Sequence, residues 1–598
     1  MTAAAPAHPD NAPFLGVAQS VLGRRWNLRV CNEALVTELV RGLGVSDAVA
    51  RVLAARGVEE LAAPDFLRPT LKALMPDPSS FADMDRAAAR IVAAIDAGEA
   101  MAVFGDYDVD GATSSALLKR FFRTIGVDVT VYIPDRRAEG YGPNTPALLK
   151  LREQGVKVVI TVDCGITAFA PLAAARDAGL DVIIVDHHKA EPQLPAAAAV
   201  VNPNRLDDTS GQGHVAAVGV AFMLAVAVNR ALRPWYARTG RTEPDLRELL
   251  DLVALGTVCD VVPLKGLNRA FVVQGLQILA RGNNVGLKAL ARVARIDAKP
   301  NAYHLGYLLG PRVNAGGRVG QADLGTRLLS TEDPDEASAI AMRLDEHNIA
   351  RKEIEAAVLR EAIEQVETQV CDDPVIFAIG KDWHPGVIGI IAGRLRERYD
   401  RPACVVALDG GMAKGSGRSV AGIDLGRAVI AAREAGHLFT GGGHAMAAGF
   451  TVTEDKITDL VAFMQADVHR QLAGERLAPS LELDGALVAS AVTADFVAEL
   501  SCVEPYGSGN DEPRFVVVDA LVAKADVVGQ GHVRCFLTGQ SGGRLKAIAF
   551  NCVDSDLGHL LLTAKGRRLH LAGTIRADTW QGRTEAQMVI DDAALATA

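Results

Sequence analysis

The sequence predicts an α/β protein: a parallel-sheet domain, a second α/β domain reached through a long helix, and a C-terminal β-barrel of the OB type. Three observations carry this. Apolar residues make up 49% of the 598-residue chain and aromatics only 5%, so the cores are built from Ala, Val and Leu, which favours helices packed on buried strands. From Met101 short β-branched runs alternate with helix-like stretches: "AVFGD", "SSALLKRFFRTIG" and "VTVYIPD", later "VKVVITVDCG", "FAPLAAARDAG" and "DVIIVDHH". That alternation marks βαβ units. From Leu481 the pattern changes to strand-like runs with Gly-containing turns, "FVVVDALVAKADVVG", "HVRCFLTG", "RLKAIAFN", "RLHLAGTIRADTW" and "RTEAQMVI", as in a small barrel.

The elements follow in order. Residues 1–79 open with "MTAAAPAHPDNAPFLG", which lacks the basic and apolar regions of a signal peptide and reads as a disordered lead-in. The "RRWNLR" beyond it carries no motif with a mechanistic meaning. Residues 80–330 form the parallel-sheet domain. Its longest apolar run, Val215 to Val228, is interrupted by Gly219 and falls short of the ~18 residues of a membrane span, so a buried helix is expected and no membrane partner. Residues 331–372 are highly charged with apolar positions at helical spacing, lack Gly, and place Pro334 where a first turn tolerates it; one connecting helix is predicted. The second α/β domain, 373–472, starts at "PVIFAIG" and ends near a linker, "GERLAPS". Residues 473–598 hold the barrel.

The net charge of -10 argues against coating nucleic acid by charge alone, so any polyanion site is a local groove. Cys31, Cys164, Cys259, Cys371, Cys404, Cys502, Cys535 and Cys552 form no C-x-x-C pair, which suggests neither a zinc ribbon nor a disulfide framework. Reduced thiols and a cytoplasmic location are expected.

The chemistry concentrates in four motifs. "FGDYDVDGATS" presents Asp106, Asp108 and Asp110, "ITVDCG" Asp163, "IIVDHH" Asp186, His187 and His188, and "GTVCDVVPL" Asp260. In an extended chain alternate residues point the same way, so the first three aspartates would crowd together. Asp106 either orients its neighbours or caps a helix beginning near Ala112. Alone, Asp163 or Asp260 would be read as a helix N-cap. Together, carboxylates at the carboxyl edge of a parallel sheet repel one another without a cation, and carboxylate plus imidazole suits Mn²⁺, Mg²⁺ or Zn²⁺. With this many ligands two ions are plausible, the arrangement that serves phosphoryl displacement.

"DYDVDG", "VDCG", "VDHH" and "GTVCDVVPL", in that order, resemble the four motifs of the DHH phosphoesterase superfamily. "GPRVNAGGR", "HPGVIGIIAGRL", "GSGRS" and "GGGHAMAAGF" resemble the DHH-associated C-terminal domain, and "EPYGSGNDEP" opens the β-rich tail. The resemblance covers the chain from about Ser80 and implies a single-strand-specific 5′-to-3′ DNA exonuclease of repair and recombination, with Mn²⁺ or Mg²⁺ in the first domain. By motif matching Asp108, Asp110, Asp163, His187 and Asp260 are the expected ligands, Asp106 and Asp186 are support or ligand, and His188 faces the scissile phosphate. A single-strand-binding protein and a RecQ-type helicase are partners implied in the same way, as is a monomer.

Phosphate contacts are expected from Ser416, Arg418 and Ser419 of "SGRS", because Arg suits bidentate contact, and from Gly441 to His444 (Gly442, Gly443 and His444 foremost), where small residues let N–H groups approach; a tight turn is the plain alternative. Asn314 and Arg318 of "NAGGR" are further candidates, Arg318 alternatively as a salt bridge between domains. Arg136 and Arg137 are either phosphate contacts or a surface pair. Tyr141 and Trp383 could offer stacking faces, Trp383 alternatively as core. The rival readings are a DHH phosphodiesterase for short oligonucleotides or cyclic dinucleotides, a pyrophosphatase, and a non-catalytic DNA-binding scaffold.

Overall fold

The structure, a computed structural model, describes residues 12–136, 139–368, 373–473, 479–540, 542–580 and 583–596. The lead-in through Asn11, Arg137, Cys371 and most of the predicted linker, 474–478, lie outside them. After β1 (Arg25–Leu28), the first sheet consists of β2 (Met101–Gly105), β3 (Val129–Tyr132), β4 (Val158–Val162), β5 (Asp181–Val185) and β6 (Ala199–Val201), all parallel in the order β3-β2-β4-β5-β6. Successive side chains enter opposite cores. Met101, Val103, Val158, Ile160, Ile183 and Val185 pack under helices Met84–Ala97, Val109–Thr124, Ala217–Ala231 and Leu250–Cys259. Ala102, Phe104, Val159, Val182 and Ile184 pack under Thr145–Glu153 and Phe169–Asp177. Burial on both faces is why these strands read as continuous apolar runs. The chain reverses its winding between β2 and β4, so the crevice lies at their carboxyl ends.

Helix Pro334–Thr368 runs 35 residues, about 50 Å at 1.5 Å per residue. Its Ala337, Ile340 and Leu344 complete the first domain's core, while Val358 and Ala362 enter the second's. The second sheet has the order β10-β11-β9-β8-β7, from β7 (Ile376–Lys381), β8 (Ala403–Asp409), β9 (Met412–Arg418), β10 (Thr440–His444) and β11 (Ala447–Thr453). Only β7 and β8 are parallel.

After β12 (Ser480–Leu483) and β13 (Gly485–Leu487), the barrel is formed by β14 (Arg514–Val528), β15 (His532–Gly539), β16 (Gly542–Ala549), β17 (Arg568–Trp580) and β18 (Arg583–Leu595). Pairing of β14 with β17 closes it, which removes the unpaired edges. The N-terminal region belongs to this unit. Val36, Leu39, Val49 and Leu53 pack against Phe515, Val533 and Leu545, and β1 pairs with β12 in parallel. "RRWNLR" thus gains a role: Trp26 is wholly buried and its Nε1 donates to Asp592 Oδ2 at 3.1 Å.

Barrel and first domain meet at Arg269. Its guanidinium is buried and donates to the carbonyls of Phe66 (2.7 Å), Val503 (3.0 Å), Glu504 (2.6 Å) and Pro505 (3.4 Å). Leu264 N–H donates to Ser508 O at 2.8 Å, so "EPYGSGN" is the seam. No single helix among the described residues is long and apolar enough to cross a membrane, and the longest apolar run lies in the buried helix Ala217–Ala231.

Candidate metal centre and nucleic-acid cleft

Asp106 follows β2, Asp163 follows β4 and Asp186 follows β5, so the parallel register brings three carboxylates to one edge. Extended alternation does not unite Asp106, Asp108 and Asp110. Their helix starts at Val109 rather than near Ala112, and Asp108, not Asp106, caps it, accepting from Gly111 N–H at 3.0 Å. Gly111 is required because a Cβ there would stand 2.5 Å from Asp106 O. Asp110 lies in the first turn and its two oxygens accept from Ala217 N–H (2.7 Å) and Val218 N–H (2.9 Å). It therefore caps the apolar helix Ala217–Ala231, whose own Ala216 supplies no side-chain cap. Asp163 is no N-cap either: it sits at φ 61°, a left-handed conformation that Asp tolerates. Asp260 arrives at the C-terminal end of Leu250–Cys259.

His187 Nε2 lies 3.3 Å from Asp163 Oδ1, 3.7 Å from Asp260 Oδ2 and 3.9 Å from Asp110 Oδ2. Three triads place their ligand atoms within 4.8 Å of one another: Asp106–Asp108–Asp163, Asp110–His187–Asp260, and Asp163–His187–His188, which shares one residue with each of the others. Asp106 Oδ1, His187 Nε2 and Asp260 Oδ2 are buried with no hydrogen-bond partner. Buried polar atoms are rarely left so, and these fit a hard divalent cation.

The electrostatics agree. Burial, then the charge of Asp108, pushes Asp106 up to about 8 and Asp110 up to about 7. Burial, then Asp110, takes Asp260 to about 9, and burial with Asp108 and Asp110 holds Asp163 well above the carboxylate range. His187 is pushed down to about 4 by burial and then by His188, so it is a neutral ligand.

Asp186 differs. Oδ1 accepts from the backbone N–H of His187 (2.8 Å) and His188 (3.1 Å) and lies 2.8 Å from His188 Nδ1, while Oδ2 accepts from Ile166 N–H at 3.0 Å. Burial opposes its ionisation, yet these bonds outweigh burial and hold its pKa low. It orients the two histidines. Burial likewise opposes the charge on His188, but Asp186 and the surrounding carboxylates raise its pKa. Two further residues, which sequence reasoning missed, hold the same turn: Asn202 Nδ2 donates to His188 O at 2.9 Å and Asn204 Nδ2 to His187 O. The available signal was "VNPN" at the next strand end. Tyr141 is half exposed, and its hydroxyl, which donates to Asp163 O at 2.9 Å and lies 3.4 Å from His188 Nδ1, ties the ring to the centre.

Arg318 lies on helix Gly310–Val319, one turn beyond Asn314 and on the same face. Its Nη1 donates to Gly386 O at 2.6 Å, bridging to the second domain through a carbonyl rather than a salt bridge. Burial, then Arg136 and Arg351, pushes it down to about 10. Arg136 is exposed, its guanidinium 5.1 Å from the centre of the Tyr107 ring. Arg418 donates to Gly417 O at 2.9 Å and lies 3.4 Å from Ser416 Oγ on the same face of β9. Among the described residues no carboxylate is within salt-bridge distance of Arg318 or Arg418, which leaves cations beside the acidic centre in search of an anion. Ser419 is a correction: it is buried and its hydroxyl donates to Ile423 O at 2.8 Å. Gly441–His444 forms edge strand β10 rather than a turn, with Gly443 and His444 exposed. Trp383 is core, and its Nε1 donates to Glu361 at 2.8 Å.

A doubly wound parallel sheet carrying an Asp-rich, His-His centre defines a DHH-type phosphoesterase, and residues 100–257 match the DHH family, N-terminal domain. Residues 372–470 match the DHHA1 domain and 483–592 the RecJ OB domain. The chain belongs to the RecJ family. It is 35% identical over 576 residues to the single-stranded-DNA-specific exonuclease RecJ of Bacillus subtilis, covering 96% of this chain and 71% of that one. It is 36% identical to the Escherichia coli exonuclease RecJ, covering 91% and 95%. Thermus thermophilus RecJ in complex with Mn²⁺ superposes with a TM-score of 0.79 at 31% identity, over 96% of this chain and 80% of that one, and its Mg²⁺ complex with 0.74 at 30%.

Proposed function

We propose that the protein is a metal-dependent exonuclease that hydrolyses single-stranded DNA from the 5′ end in DNA repair and recombination. The observation that carries it is the pairing of two ligand triads with the uncompensated Arg318 and Arg418 beside them. Asp106, Asp108 and Asp163 would hold one ion and Asp110, His187 and Asp260 the other. Bound there, Mn²⁺ or Mg²⁺ supplies Lewis-acid stabilisation and an activated water.

The chain's own residues do the rest. Asp186 holds His188 through Nδ1, leaving the other ring nitrogen to donate to a phosphate oxygen. Arg318, with Asn314 beside it, Arg136 and the pair Ser416–Arg418 grip phosphates, and β10 closes the cleft with the free side of Gly442, Gly443 and His444. The first domain (80–330), connecting helix (331–372) and second domain (373–472) form the cutting unit. The barrel (473–598) with the N-terminal region (1–79) holds the strand beyond it. A monomer in the cytoplasm, working with single-strand-binding protein and a RecQ-type helicase, completes the reading.

The test supplies Mn²⁺ with a long 5′-phosphorylated single strand, its duplex and a dinucleotide. Mononucleotides released from the single strand alone are expected; cleavage of the dinucleotide alone would assign the chain to small substrates instead.

A further inference from the structure

A second cavity, apart from the cleft, opens at the outer edge of the first sheet. It measures about 370 Å³, within the range that holds a small organic ligand. Lys119 and Arg123, one turn apart on helix Val109–Thr124, line one side. Val131 of edge strand β3 and Ile133 just beyond it form an apolar wall. Thr326 and Arg327 of helix Leu324–Ser330 line another side, and Glu332 and Glu336 close it at the start of the connecting helix. Asp108 and Asp110 stand at the other end of helix Val109–Thr124, about 20 Å from Arg123 at 1.5 Å per residue. A ligand held here is therefore clear of the metal centre.

The charges are unevenly matched. Arg327 is engaged, with Nη2 donating to Glu336 Oε1 at 3.0 Å, and Thr331 Oγ1 donates to Glu336 Oε2 at 2.6 Å. Arg123 Nη1 meets Glu332 Oε1 at 3.4 Å, but that carboxylate is 68% exposed and the pair is weakly held. Among the described residues Lys119 has no carboxylate within salt-bridge distance, although its charge acts on Glu336. Thr326 is buried and its Oγ1 has no hydrogen-bond partner, a state in which buried hydroxyls are rarely left. Two available cations, a spare hydroxyl and an apolar wall complement a phosphate monoester carried on a flat, largely apolar ring.

The cavity also touches both halves of the catalytic cleft through one helix. Gly325, beside Thr326, packs the opposite way: a Cβ there would stand 2.9 Å from Val313 Cγ1, on the helix of Arg318, and 3.5 Å from Ala112 Cβ, in the first turn of the helix of Asp110. So close a fit passes a shift of helix Leu324–Ser330 to the residues around the ions.

We propose that this cavity binds a nucleoside 5′-monophosphate, the product class of the exonuclease, and that the bound nucleotide slows turnover through helix Leu324–Ser330. That the nucleotide is a product rests on the exonuclease reading. Its phosphate takes Lys119 and displaces Glu332 from Arg123, and its base lies on Val131 and Ile133.

The experiment titrates the full chain with thymidine 5′-monophosphate in EDTA and follows hydrogen exchange over residues 324–336. Slowed exchange there is expected. Lys119→Gln with Arg123→Gln should weaken binding roughly 10- to 100-fold, Glu332→Gln should tighten it, and inorganic phosphate should bind more weakly than the nucleotide. With Mn²⁺ and a single strand, added nucleotide should lower kcat of the wild type but only raise KM of the glutamine pair, whose activity without nucleotide matches wild type. Unchanged affinity in the glutamine pair, exchange slowed only around 416–419 and 441–444, phosphate binding as tightly as nucleotide, or an effect on KM alone in the wild type would overturn the site. If the wild type does not cut single strands, the exonuclease reading fails, while binding in EDTA still decides the cavity.

Discussion

Asp110 performs two tasks at once, and separating them is the sharpest test of the centre. Its oxygens stand in the Asp110–His187–Asp260 triad and also accept from Ala217 and Val218 N–H. Asp110→Ala leaves both donors without a partner at about 1–3 kcal/mol each, so it should cost stability as well as activity. Asp110→Asn keeps one accepting oxygen. It forfeits one charge-assisted bond, worth about 1.5–3 kcal/mol, but relieves a carboxylate that burial and Asp108 push up to about 7. These terms oppose, so metal-free Asp110→Asn should melt within a few degrees of wild type, about 2 kcal/mol or less. Its activity should fall by at least ~100-fold, the upper range for losing a mere outer-shell partner. The assay is release of mononucleotides from a 5′-phosphorylated strand in saturating Mn²⁺, beside thermal melting with and without the ion. An Asp110→Asn protein that keeps wild-type activity and the full Mn²⁺ stabilisation would refute the assignment.

The metal-free protein should lose stability as pH rises. Asp110, Asp106 and Asp260 have folded values of about 7, 8 and 9, above the ordinary carboxylate value, so the native state binds protons that the unfolded state has released. Their contribution is fully present below the ordinary carboxylate range and is lost as pH rises through the folded values. Melting in EDTA from pH 6 to 9 should therefore drop steadily, and Mn²⁺ should stabilise more at pH 9 than at pH 6; an equal Mn²⁺ effect at both would contradict the triads. Arg269→Met removes the side-chain donor of Phe66 O and Glu504 O at the barrel seam, while Val503 O and Pro505 O keep Asn510 Nδ2, and should cost about 2–6 kcal/mol, as two buried carbonyls left unsatisfied do. Urea unfolding would read it, and an unchanged midpoint would mean that the seam is held elsewhere.

Local signals were enough for much of this. Continuous apolar runs announced strands buried on both faces, and the Gly-free charged stretch announced the 35-residue helix. The strand-end aspartates announced a centre because parallel strands deliver their carboxyl ends to one edge. The helix N-terminus at Asp108 was misjudged by three residues, since "DVDG" supports a cap at several positions.

What the chain alone determined was which chemistry could gather, because residue type and period are local properties. Three things needed the tertiary structure. Asp110 caps a helix more than a hundred residues away, Ser419 turns its hydroxyl into its own loop, and Trp26 fastens the N-terminal region to the barrel through Asp592. The first and third depend on which groups meet across long separations and the second on how its loop is buried, and burial decides whether a carboxylate orients, ligates or caps. No spacing along the chain encodes that competition for partners; only the packed fold resolves it.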